Sequence, residues 1–379
     1  MENRTAKNWL FYFIFSVLLL PFLQHCFGFI ESGPLLCAPT EDPNVTFTYA
    51  KWWDESYQQQ KTLYVNDSTG FRPDLVRLNN QISYSLFKNL SAGDIVGYDG
   101  YVFGKEDVME YTGELYMGTD VIRAEMIKLK RIQDTLQRLG KTFIFAYAPS
   151  KAHFVPEKIP GLAQHEVPMK NNYSTFRAIG DSLQITQLDY VALFRSMKDT
   201  SQNQLMTRQG FHWSLYGSMI ATDTLIKLIE RERKIRMPHL IVTKMHFSDT
   251  AHVSDNDLVK CTNLIFPLPG ERYSYPEFHY RADSNTIKPN AIFMGDSFIW
   301  GWVTAGFMEH AITRWKYWTY FGDMWTETGS TDIRGYDWEK ALSESDCIVM
   351  LVTPVNLHVL TRKNRFLEQV YDHYFPATL

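Results

Sequence analysis

Ala291-Ile292-Phe293-Met294-Gly295-Asp296-Ser297-Phe298 is the stretch on which the fold turns. An apolar run, expected as a strand from Asn290 to Met294, ends at a glycine, which can adopt backbone angles closed to other residues. A helix is expected just after Ser297. Two further runs have the same uninterrupted apolar character, Thr142 to Ala148, stopped by Pro149, and Cys347 to Val352. Such runs read as strands buried on both faces. Between them lie helical patterns. From Asp120 to Leu139, apolar residues recur at Ile122, Met126, Leu129, Ile132, Leu136 and Leu139, one helix face, with Gly140 as the cap. Phe176 to Leu183 precedes a short strand from Ile185 to Leu188, and Tyr216 to Arg236 carries Tyr216, Met219, Ile220, Ile226 and Ile229 on one side. Helix alternating with buried strand predicts an α/β fold, a parallel sheet flanked by helices.

Ligands bind at the carboxyl ends of strands in open α/β sheets, and Ser297 stands at such an end. Its hydroxyl would be presented at the surface, with N–H groups of the following helix available to an oxyanion. A serine there also serves as a plain helix cap, and Gly-Asp-Ser alone is a weak motif. A serine nucleophile needs a neutral imidazole within hydrogen-bond reach, and Phe211-His212-Trp213-Ser214 supplies one just before a helix. A lone histidine beside a tryptophan reads as packing; the two segments together favour a nucleophile and its base.

The chain has 379 residues, 45% hydrophobic and 21% charged, enough for a sizeable core. Its net charge of -4, with no long basic run, argues against a nucleic-acid partner. Aromatic residues reach 15%, a surplus that suits stacking on sugar rings. Arg4 and Lys7 precede an uncharged stretch from Trp9 to Ile30, long enough for a bilayer core of roughly 30 Å. The charged flank places the N-terminus in the cytoplasm and the remainder outside. The absence of a small-x-small cleavage pattern favours an uncleaved anchor over residues 1–35, although Pro21 and the short apolar centre also suit a cleaved signal peptide. With no repeats or linkers, residues 36–379 read as one exported domain whose part 36–115 is a less regular arm packed on the sheet. There, Gly97 to Phe103 reads as a turn entering a strand. In an oxidising compartment Cys37 and Cys261, both in loop-like surroundings, are the expected disulfide pair, although sequence does not fix connectivity.

Gly295-Asp296-Ser297-Phe298, His212-Trp213-Ser214-x-Tyr216-Gly217, Gly97-x-Asp99-Gly100-Tyr101-x-Phe103 and Pro149-Ser150-Lys151 occur in the order found in the SGNH-hydrolase-like O-acetyltransferases of the alginate acetylation type (AlgJ/AlgX-like), which the chain resembles over roughly residues 50 to 357. The resemblance implies an SGNH-like α/β fold, export to the periplasmic side and acetyl transfer onto a polysaccharide acceptor without a cofactor, with Ser297 as nucleophile and His212 as base. It also implies a membrane-bound acyltransferase partner as acetyl donor, and a single-pass protein of the cell inner membrane whose catalytic domain faces the periplasm or the exterior. The family's usual Asp-x-His puts an acid two residues before the base, where this chain has Gly210. An orienting carboxylate fixes the imidazole tautomer, so another group must serve. Asp296 is the candidate, with Asp189 or a backbone carbonyl as substitutes. A carbohydrate acetyl-esterase and a non-catalytic glycan-binding relative are the alternative readings.

Trp300 and Trp302 are the candidate sugar platform in a cluster with Trp315, Trp318, Tyr320 and Trp325, each of which packing would also explain. Lys151 and Asn356 are further candidates for the crevice. The stretch holding His246, Asp249, His252, Asp255 and Asp257 lacks the glycine and terminal glutamate of a calcium loop and reads as solvated, and no metal is expected.

Overall fold

A computed structural model describes residues 2–37, 46–91, 93–162, 170–252, 254–319, 322–332, 337–361 and 366–376. The chain divides into two compact units, one formed by Met1–Gly93 with Val259–Leu268, the other by Asp94–Leu258 with Pro269–Leu379.

The first unit begins with the helix Glu2–Phe27, of which Arg4–Phe27 is long and apolar enough to cross a membrane. Helices at Tyr49–Trp53, Ser56–Ser68 and Arg72–Phe87 follow, where sequence suggested an irregular arm. Leu75, Leu78, Ile82 and Leu86 in the last of these are spaced by three and four, but all four side chains are exposed. Cys37 and Cys261 form a disulfide with Cα atoms 5.3 Å apart. Asn263 braces the same place, donating to the Leu36 carbonyl (3.1 Å) and accepting from its N–H (2.8 Å).

The second unit opens with the ribbon β1 (Ile95–Val96) and β2 (Val102–Phe103), joined by a turn in which Asp99 and Gly100 have φ of 56° and 79°. Its sheet is built from β3 (Thr142–Tyr147) and β4 (Gln187–Asp189), and, after a second ribbon β5 (His239–Ser248) and β6 (Tyr273–Arg281), from β7 (Ala291–Gly295), β8 (Trp315–Thr319), β9 (Asp323–Thr326), β10 (Gly329–Asp332) and β11 (Cys347–Val352). The sheet order is β10-β9-β8-β7-β11-β3-β4, parallel from β8 to β4 and antiparallel at the β9 and β10 edge. Alternation along the strands divides the core in two. Ile144, Ala146, Phe293 and Val349 pack with residues of helices Tyr190–Met197 and Leu215–Arg233; Phe143, Phe145, Met294 and Met350 pack with those of Thr119–Arg138 and Asn172–Ser182. Burying both faces requires the uninterrupted apolar runs seen in the sequence. Helix Thr119–Arg138 buries every residue of its expected stripe except Leu139, which lies past the helix end and is exposed.

A buried polar knot ties the connection after β3 to helix Lys105–Tyr111. Ser150 donates its hydroxyl to Asp107 (2.6 Å), which also accepts from the Ala152 N–H (3.0 Å). Glu110 accepts from the Tyr173 N–H (3.1 Å), and its second oxygen lies 3.5 Å from His153 Nε2. Burial pushes Glu110 up to about 8 and His153 down to about 3, so at neutral pH this contact joins two uncharged groups rather than an ion pair.

A carboxyl whose folded pKa is raised contributes stability that is complete below its unfolded value and lost as pH rises through the folded one. His153, lowered from 6.5, has the opposite slope below that pH, so thermal melts should show the wild type losing stability chiefly between pH 6.5 and 8, and Glu110→Gln should flatten that part of the profile. An unchanged slope in the variant would contradict the assignment. In non-reduced protein, alkylation should label exposed Cys26 and spare Cys37 and Cys261.

Candidate active site

The site is assembled at the carboxyl edge of β7 and β11. Gly295 ends β7 with φ of 142°, and a Cβ there would lie 1.7 Å from the Leu351 carbonyl oxygen, so only glycine lets the chain turn this close to β11. Asp296 then points inward. Its Oδ2 accepts from the N–H and hydroxyl of Thr353 (both 2.7 Å) and from Asn356 Nδ2 (3.4 Å), and its Oδ1 accepts from the Phe298 N–H (3.2 Å). With Asp296 anchored, Ser297 is left on the exposed side of the turn, before helix Ile299–Thr304.

His212 is presented by the segment before helix Leu215–Arg233. Ser214 caps that helix, accepting from the Gly217 N–H (2.9 Å), and Trp213 is buried against Tyr190, Phe298 and Trp302. Between these two fixed points the imidazole has little freedom. Its Nε2 is 2.6 Å from Ser297 Oγ and its Nδ1 is 2.5 Å from Asp257 Oδ2. Asp257 Oδ1 accepts from the Phe211 N–H (2.6 Å), which fixes the carboxylate in turn. In the tautomer this arrangement favours, Nδ1–H donates to Asp257 and Nε2 accepts the serine proton, the relation a nucleophile, base and orienting acid require.

The orienting place is thus occupied by Asp257, not Asp296, which is committed to Thr353 and Asn356. Asp189 is engaged elsewhere, accepting from the Ala192 N–H (2.9 Å) and pairing with Arg177 (3.0 Å). The backbone explains why the acid cannot stand two residues before the base. A Cβ at Gly210 would lie 2.5 Å from both the Ser254 carbonyl oxygen and Thr207 Oγ1. Thr207 donates to the Asp255 carbonyl (2.7 Å) and the Leu258 N–H to the Gln209 carbonyl (3.2 Å), so the turn carrying Asp257 lies directly on Gly210. The expectation of a solvated loop fails at this residue. Its only sequence signal was indirect, the missing acid at Gly210.

Trp300, 38% exposed, lines the cavity of about 730 Å³ that opens at Ser297 and His212, and its ring is held edge-on by Tyr317 and Trp325. Trp302 does not reach it; it is fully buried against Trp213, Tyr190 and Phe293. Trp318 is likewise core, Trp315 and Trp325 are half-buried, and Tyr320 lies outside the described residues. Lys151 is also buried, its ammonium donating to the carbonyls of Val102 and Arg208 (both 2.9 Å), and burial pushes its pKa down to about 8. It braces the segment leading to His212 instead of lining the cavity. Asn356 reaches Asp296 and Thr353 Oγ1 (2.9 Å), so it supports the nucleophile turn from behind.

Residues 95–261 match the family model described as "SGNH hydrolase-like domain, acetyltransferase AlgX". That span includes His212 and Asp257 and ends before Ser297. The Probable alginate O-acetylase AlgJ of Pseudomonas putida is 22% identical over 151 residues, 40% of this chain and 37% of that protein, so the aligned part is little more than a third of its length. Among solved structures, the O-acetyltransferase domain of Pseudomonas putida AlgJ has a TM-score of 0.50 at 16% identity, covering 74% of this chain and 99% of that one. Pseudomonas aeruginosa AlgX has a TM-score of 0.50 at 14% identity, covering 78% of this chain and 69% of that one. The chain is thus similar to AlgJ and AlgX, and at the carboxyl edge of its mostly parallel sheet Ser297 meets His212 and Asp257.

Proposed function

We propose that this protein is a serine O-acetyltransferase that moves an acetyl group through Ser297 onto a hydroxyl of an exported polysaccharide. The observation that carries the reading is the continuous chain of contacts from Asp257 through His212 to Ser297 at the mouth of a cavity far larger than an acetyl group. His212 takes the proton of Ser297 Oγ as the oxygen attacks the acetyl carbonyl of the donor, and returns it to the departing donor oxygen, leaving acetyl-Ser297. A sugar hydroxyl then gives its proton to His212, attacks the ester and leaves with the acetyl group, restoring Ser297. Asp257 stabilises the imidazolium in both halves. Release to water is the same second half with a different nucleophile, so transfer depends on holding the sugar in attacking geometry. Positioning can supply effective molarities of about 10⁵ M or more. Trp300, on the cavity wall, is the platform for that ring.

The helix Arg4–Phe27 anchors the protein in the inner membrane, with Arg4 and Lys7 on the cytoplasmic side and the catalytic unit outside. The Cys37–Cys261 disulfide suits an oxidising compartment. Acetyl-CoA is cytoplasmic, so the donor is a membrane-embedded acyltransferase partner that hands over the acetyl group.

Ser297→Ala and His212→Ala should each abolish turnover of a small activated acetyl ester, with the double variant little worse, because the pair acts as a unit. Asp257→Ala should cost roughly 10³–10⁴-fold in kcat. Adding Gly210→Asp should not recover that loss, and should itself lower Tm, because position 210 has no room for a Cβ. Full activity in Ser297→Ala would remove the mechanism, and rescue by Gly210→Asp would remove the account of the relocated acid.

Adding an acceptor glycan should divert acetyl from acetate to sugar. Trp300→Ala should return the product to acetate while leaving acetylation of Ser297 nearly unchanged, as mass spectrometry of the trapped intermediate would register. Acetate release indifferent to every envelope glycan would favour an esterase.

A further inference from the structure

The cavity at Ser297 has two unlike walls. One is the catalytic edge, with Trp213, Trp300 and Thr304; the other is the ribbon of β5 and β6 and the turn after β5. Side chains alternate along a strand, so His246 and Ser248 face the cavity while Phe247, between them, lies on the other side under the Arg272 guanidinium, 5.1 Å from its ring. Tyr275 and Glu277 stand on the cavity face of the partner strand, opposite His246 and Lys244.

The residues of this wall that line the cavity include two carboxyl groups and no lysine or arginine. Glu277 Oε1 lies 2.5 Å from His246 Nε2. Asp255, buried, accepts from the Tyr275 hydroxyl (2.6 Å) and the His252 N–H (3.3 Å). Among the described residues that line the cavity there is no lysine or arginine. Lys244 shares Glu277's rung but does not line the space, and the Lys151 ammonium is held by two backbone carbonyls. Burial already pushes the Asp255 carboxyl up, so the site resists one negative charge before a second arrives.

The geometry points to an uncharged sugar ring as the acceptor that Ser297 serves, and to exclusion of uronate rings. This rests on the acetyl-transfer reading and adds the chemical class of acceptor. A uronate carboxylate entering the cavity would shed water, meet Asp255 and Glu277, and find no permanent counter-charge among the residues that line it. Ring hydroxyls meet the opposite situation, since a carboxylate accepts from them and an imidazole ring nitrogen can meet them as well.

The test uses the full-length protein in detergent at low ionic strength and pH 8, above the ordinary range of histidine. Phenyl acetate and 3-carboxyphenyl acetate, each corrected for its uncatalysed hydrolysis, probe the cavity's preference for charge. Oligomannuronate and its carboxyl-reduced counterpart probe the acceptor step from acetyl-Ser297. The neutral ester should be favoured in kcat/KM by about tenfold or more, and acetyl should pass to the reduced oligomer in preference to the uronate. Glu277→Lys should narrow the ester ratio towards unity, while Lys244→Ala should leave it unchanged. If neither oligomer is acetylated, the ester ratio decides. Equal handling of charged and neutral esters, or acetylation of the uronate as fast as its reduced form, overturns the inference. Failure of every ester to turn over or to label Ser297 would instead strike the acetyl-transfer reading itself.

Discussion

Everything at the site hangs on the parallel pairing of β7 with β11, closed at its carboxyl end by Asp296. The two strands are bonded rung by rung from Ala291 opposite Cys347 to Gly295 opposite Leu351. At that point the chain must leave the sheet, and it can do so only because Gly295 has no side chain to strike the Leu351 carbonyl. Asp296 then takes up the N–H and hydroxyl of Thr353, so the ends of two strands are held as one object. The direction of the Ser297 side chain follows from this bond. Asp296 is therefore part of the scaffold, and the partner of the His212 imidazole has to come from elsewhere.

It comes from a turn folded against the backbone of the loop that carries His212. In an Asp-x-His arrangement the acid and imidazole share one local geometry. Here Thr207, Gln209 and Gly210 receive the segment 254–258, and that contact delivers Asp257 to Nδ1. The same segment follows β5, and with the ribbon it supplies His246, His252 and Asp255 to the cavity wall. Orientation of the His212 imidazole and shaping of the cavity at Ser297 are consequently one structural task. A change in the ribbon that moved this turn would be felt by both.

The features legible in the sequence were those whose cause is local. Cys347–Val352 reads as a doubly buried strand because every residue is apolar, and Ser297 and His212 announced themselves through neighbours that shape their own turns. Asp257 did not, since 45 residues separate it from His212 and nothing in its spacing distinguishes it from Asp249 or Asp255. Trp300 and Trp302 illustrate the same limit from the other side. Two residues apart on a short helix, they face nearly opposite ways, one lining the cavity and the other filling the core, and composition is blind to that choice. The helices between Tyr49 and Phe87 escaped notice for a further reason. Leu75, Leu78, Ile82 and Leu86 do follow helical spacing, but Ser56–Ser68, with Gln58-Gln59-Gln60 and no buried residue, offers no apolar stripe to read.

The bond between Cys37 and Cys261 spans 224 positions. Synthesis proceeds from the N-terminus, so Cys37 exists while its partner has yet to be made. During that interval the nearest thiol along the chain is Cys26, eleven positions back, but it belongs to the helix Glu2–Phe27 and is carried on an apolar rod. Placed in a membrane, as proposed above, that helix would withdraw the one early competitor until the late partner arrives. The order of events follows from position alone: the helix first, then more than two hundred residues, and only then the covalent clasp.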